Sequence, residues 1–111
     1  METARKSNVS GTIEGGHVAR VIRDTLSERE FVATTNIYKR GIIVDVFDPK
    51  IDPGLTYIVQ KEGVLGPDPS NHNGTSTIRD ALVQNVQEEL LVRGLVYNKD
   101  NRRYEGKFSP F

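Results

Sequence analysis

The stretch Thr77 to Gly94, TIRDALVQNVQEELLVRG, constrains the chain most, because both ends of a helix are written into it. Thr77 followed three residues later by Asp80 has the form of a capping box. The hydroxyl can accept from the Asp80 N–H, and the carboxylate meets the positive end of the helix dipole. At ~100° per residue, Ile78, Ala81, Leu82, Val83, Val86, Leu90 and Val92 gather on one broad side, which must be buried. Arg79, Asn85 and Glu89 fall inside that arc and read as residues at its rim. Arg93 in the last turn and Gly94 directly after it mark the stop, where φ > 0 is needed.

The chain after Gly94, LVYNKDNRRYEGKF, makes two short runs around Asn98-Lys99-Asp100-Asn101. Asn and Asp tolerate the left-handed region and bond their own backbone, so a hairpin turn is predicted there.

Ahead of the helix, the first 16 residues, METARKSNVSGTIEGG, are polar and end in two glycines. They read as an arm that becomes ordered most readily against another subunit, leaving 17–111 as one domain. His17 to Leu26 has Val18, Val21, Ile22 and Leu26 at helical spacing. Ser27 with Glu30 offers a second capping-box signature, so Phe31 to Lys39 fits either a helix or a strand. Alternation of Phe31, Ala33, Thr35 and Ile37, with a plausible hairpin at Gly41, favours the strand. Ile42 to Phe47 is the clearest strand, with Ile42, Val44 and Val46 on one face and Ile43, Asp45 and Phe47 on the other. Asp48-Pro49 ends it. Leu55 to Gln60 is read as a further strand turning at Glu62-Gly63, with a short helix opened by Asp52-Pro53 as the competing reading. Gly66 to Ser76 is an irregular loop with two prolines and two glycines.

Composition limits what such a chain can be. A length of 111 residues suits one domain that buries roughly 60–65 % of its unfolded surface. Only 36 % of residues are hydrophobic, so the core is lean or is completed by a partner. Lys plus Arg equals Asp plus Glu at 15 each, which disfavours non-specific nucleic-acid binding. With no cysteine there is no disulfide, thiol nucleophile or thiolate metal site. No apolar run reaches the ~18 residues of a membrane span, and the first ten residues lack a signal-peptide core. The expected setting is cytoplasmic, or within a virion.

Two constellations could carry function. Ser70, Asn71, His72, Asn73, Thr75, Ser76 and Thr77, with Arg79 and the first N–H groups of the helix, aim donors at one place and suit a nucleotide or other phosphorylated compound. Neither a P-loop nor a dinucleotide fingerprint is present. The bland alternative is a solvated loop that caps a helix. Arg102, Arg103 and Tyr104, with Lys99 and Lys107, form a basic hairpin that could meet a partner or, wing-like, a nucleic acid. Charges protecting a sheet edge account for the same residues. Phe108 and Phe111 at the C-terminal end either tuck into the chain's own core or dock on a neighbour.

His17 and His72 are too few and too separate for a metal site of ordinary pattern. The acid pairs Asp45/Asp48, Asp48/Asp52 and Glu88/Glu89 read as solvated surface, and GxSxG is absent. No cofactor, metal or catalytic residue is implied. The expectation is an α+β fold with an N-terminal helix, a mainly antiparallel sheet, a long C-terminal amphipathic helix and a β-hairpin. The leading functional expectation is a non-enzymatic binding or assembly protein, such as a small homo-oligomeric or viral (phage) structural component. The alternatives are a module for a phosphorylated ligand and a winged-helix-like nucleic-acid binder.

Overall fold

The computed structural model describes residues 13–70 and 77–109. Helix α1 (Ile13–Ser27) is followed by strands β1 (Val32–Tyr38), β2 (Gly41–Phe47), β3 (Leu55–Gln60) and β4 (Gly63–Leu65). Helix α2 (Thr77–Val92) and strands β5 (Leu95–Asn98) and β6 (Arg103–Gly106) complete the described chain. The six strands form one antiparallel sheet in the order β1-β2-β3-β4-β6-β5, so the α+β expectation and its order of elements hold.

Both helices pack on one face of the sheet. Helix α1 lies on β1, β2 and β3, while α2 lies beside α1 and against β5. The register shows which residues they cover. Directly opposed residues of antiparallel strands share a face, and Ile37, Ile42, Val59, Val64, Tyr104 and Tyr97 form one row across all six strands on the helix side. Val44, Val46, Leu55, Tyr57 and Leu95 join it, facing Val18, Ala19, Ile22 and Leu26 of α1 and Leu82, Val83, Val86 and Leu90 of α2. The alternation predicted for Ile42–Phe47 is what places Val44 and Val46 inside and Phe47 outside.

Three local expectations are corrected. Helix α1 begins at Ile13, not His17, and runs through Gly15-Gly16. Gly15 is buried, and tertiary packing here overrides the ~1 kcal/mol that a helical glycine forfeits. The Ser27/Glu30 pair closes α1 and opens no new helix. The Arg29 and Glu30 N–H groups tighten onto the Leu26 and Ser27 carbonyls, and Glu30 takes φ 67°. The buried stripe of α2 is narrower than its apolar arc, since Leu82, Val83, Val86 and Leu90 are buried whereas Ile78, Ala81 and Val92 are exposed. The sheet spans only part of that arc.

The predicted C-terminal unit forms as α2, a turn at Gly94 and the β5–β6 hairpin. Asn98 Oδ1 accepts from the Asp100 and Asn101 N–H groups at 2.9 and 3.2 Å, the self-bonding that favours Asn in a tight turn. Gly94 has φ 102°, and a Cβ there would collide with the Lys107 carbonyl. Gly94→Ala should therefore lower stability in urea denaturation by about 1–3 kcal/mol from backbone strain, with the collision in addition. Gly16→Ala, with open space at its Cβ inside α1, should be neutral or stabilise by about 0.5–1 kcal/mol.

Candidate functional site

Among the described residues the sheet ends in two unpaired edges, and the two differ. Edge strand β5 has four residues, which is one way an edge is kept from recruiting another chain. Edge strand β1, VATTNIY, has seven residues and contains no charge, proline or glycine. Its apolar side chains stand in solvent: Ile37 is 83 % exposed, Val32 62 % and Tyr38 59 %. Phe47, opposite Val32 on β2, is exposed to 59 % and lies with Val32 on the face away from the helices, whereas Ile37 is on the helix side. The charges lie just outside the strand, with Glu28, Arg29 and Glu30 before it and Lys39 and Arg40 after it, all exposed. Sequence patterning identified the strand but not its place at an edge, which depends on the pairing of strands distant in sequence.

The start of α2 forms a second locality. Arg79 lies three and four residues before Leu82 and Val83, so it shares the inward stripe and is half-buried. Tyr57 and Tyr104 point to the same side of the sheet, fully buried, and neither hydroxyl has a hydrogen-bond partner among the described residues. Burial is the chief cause that pushes the Tyr57 phenol well above its ordinary range. Tyr104 adds to the shift and the Arg79 charge opposes it. Burial likewise raises Tyr104, helped by Tyr97 and Asp68. The Tyr97 ring meets Tyr104 edge-on, with centroids 5.0 Å apart. Gly66 lies over the Tyr57 ring, where a Cβ would come within 2.5 Å of it.

Asp68 beside them is held below the usual carboxylate range, first by the Ser70 N–H at 2.9 Å and then by the Ser70 hydroxyl at 2.8 Å. Of the proposed ligand loop, Ser70, Thr77 and Arg79 are therefore placed, and Ser70 is engaged with Asp68. Asn71, His72, Asn73, Thr75 and Ser76 lie outside the described residues.

The basic hairpin is part of the sheet, since β6 pairs with β4 as well as β5. Tyr104 belongs to the core, which corrects its reading as an aromatic displayed between charges. Arg103 is half-buried on the opposite face, and Arg102 is exposed in the turn with φ 57°. Glu105 holds two hairpin side chains together, accepting from Asn101 at 2.8 Å and Asn98 at 2.9 Å.

Phe108 is buried in the main core, and the Ser109 N–H donates to the Arg93 carbonyl at 2.7 Å, so at this residue the tail tucks into its own body. Phe111 lies outside the described residues. The acid pairs serve local structure: Asp45 accepts from Thr56 across the ladder at 2.6 Å, and Asp48 from the Lys50 N–H at 2.7 Å. Among the described residues no group of three or more His, Asp or Glu could hold a metal. No helix among them is long and apolar enough to cross a membrane.

The tyrosines give a pH test. Both phenols lie above the unfolded value of about 10, so above that pH the unfolded chain releases protons that the folded chain keeps. Stability from this source is complete below pH ~10 and falls as pH rises further, by up to about 1.4 kcal/mol per unit per tyrosine. Tyr57→Phe should flatten the decline in the urea midpoint between pH 9.5 and 11. At pH 8 it should raise stability, by up to about 1–3 kcal/mol, because the hydroxyl removed is buried with no hydrogen-bond partner among the described residues.

No family model, curated protein or solved structure matches the chain.

Proposed function

We propose that the chain is a non-enzymatic assembly protein, of the kind found as a small homo-oligomeric or viral structural component, and that it associates through the β1 edge. The supporting observation is the β1 edge itself: seven residues against the four of the other edge strand, no charge, Val32, Ile37 and Tyr38 exposed, and no further strand paired to it among the described residues. An exposed edge offers a row of backbone N–H and C=O groups to another strand, and natural proteins that remain monomeric place charge, proline or a bulge there. Addition of a strand would satisfy those groups and cover Ile37, Val32, Tyr38 and Phe47. Light scattering during size exclusion should give the wild type a mass above its 12.4 kDa monomer. Ile37→Lys should run as the monomer with a thermal midpoint close to wild type, since the site is solvent-exposed. A wild type that stays monomeric at tens of micromolar overturns the proposal.

A second reading keeps the Ser70–Arg79 loop as a site for a small phosphorylated ligand, supported by the half-buried guanidinium of Arg79 in the first turn of α2. Calorimetry against a nucleotide panel should then give heat that disappears in Arg79→Ala, and no heat across the panel overturns it.

A further inference from the structure

We infer that the partner of β1 is β1 of a second copy, paired antiparallel about a two-fold axis at Thr35. This rests on the edge reading above and specifies the occupant of that edge. With Thr35 opposite itself, Val32 of one copy meets Tyr38 of the other, Ala33 meets Ile37, and Thr34 meets Asn36. Opposed residues in an antiparallel pair share a face, and each of these pairs does. Val32 and Tyr38 lie on the open face, where Phe47 continues the row on either side of the axis. Ala33 and Ile37 lie on the helix side, and the small Ala33 leaves room for the 83 % exposed Ile37 of the second copy.

The charges beyond the strand select the direction and register. Beyond each end, the same pairing brings the turn that holds Glu30 in one copy towards the Lys39-Arg40 turn of the other, twice per dimer. Parallel pairing would instead set Lys39-Arg40 beside Lys39-Arg40, which is repulsive. A slip of one residue opposes side chains from different faces. A slip of two places Lys39 opposite Ala33, or Tyr38 opposite Glu30, carrying charge into the apolar ladder. Only the Thr35-centred register keeps every charge outside the strand and pairs opposite signs at both ends.

The chain has no cysteine, so a single introduced thiol reports the register. Opposed antiparallel residues have Cα atoms about 4.5–5.5 Å apart, within the span of a disulfide. Thr35→Cys should form a disulfide-linked dimer under mild oxidation, whereas Thr34→Cys and Asn36→Cys should link only when mixed with each other. In sedimentation equilibrium at low salt, Glu30→Arg or Arg40→Glu should each weaken the dimer about ten-fold. The E30R/R40E double variant should return to within about three-fold of wild type, and all four proteins should converge in 1 M salt.

The outcomes separate the two proposals. A monomeric wild type overturns both the edge reading and this pairing. Association lost in Ile37→Lys, but with no rescue by the double variant and no Thr35→Cys link, keeps the edge and overturns the two-fold β1 pairing.

Discussion

The structure depends on a sheet whose side chains alternate between two faces while both helices cover only one of them. From that constraint follows the fate of nearly every residue in β1 to β6. The row Ile42, Val59, Val64 and Tyr104 is the axis of the core because each member is directly opposite the next and all face α1 and α2. A shift of one residue in any strand would send its share of the row into solvent and bring Thr56, Asp45 or Arg103 under the helices. Register is therefore set by burial on one side alone. The other side is filled by cross-strand pairs such as Thr56 to Asp45 and by the half-buried Ile43, Ile58 and Leu65.

The same constraint explains the tyrosines. A chain with few large apolar residues needs volume in its core, and Tyr57 and Tyr104 supply rings there while their hydroxyls have no partner among the described residues. An unsatisfied buried hydroxyl costs about 1–3 kcal/mol, while a buried ring of this size is worth more than that through its apolar area. Packing wins, and the sign of the stability change at alkaline pH follows from it. Asp68 and Ser70 show the opposite solution at the surface, where the carboxylate is engaged by its own loop.

Much of the fold was legible because its signals are local. The Asn98–Asn101 turn, the Gly94 stop, the alternation of Ile42–Phe47 and the strand at Val32–Tyr38 each depend on chemistry within a few residues. What was not legible needed distant partners. Strand β4 is only Gly63–Leu65, too short to show a period, and exists because Tyr104 and Arg103 pair with it. The width of the α2 stripe depends on where the sheet ends beneath it, so Ile78, Ala81 and Val92 were misassigned to the interior. Tyr104 reads as an aromatic among charges when viewed along the chain and as core when viewed across the sheet. Of the eight candidate ligand residues, Asn71, His72, Asn73, Thr75 and Ser76 lie outside the described residues.

The lean composition then takes on a specific meaning. A low hydrophobic share could leave exposed apolar residues scattered, which is ordinary on any surface. Here four of the exposed ones are gathered at one end of the sheet, on two adjacent strands, beside backbone that no described strand pairs. The chain carries enough charge to have placed a lysine in β1 and instead sets its charges at the strand's ends, Glu28, Arg29 and Glu30 before it and Lys39 and Arg40 after it. At a merely solvated edge those positions would be interchangeable with the strand interior. In the self-pairing proposed above, that placement would bring the Glu28–Glu30 flank of one copy beside the Lys39-Arg40 flank of the other, so the proposed contact and its register would both rest on one seven-residue strand and its two flanks.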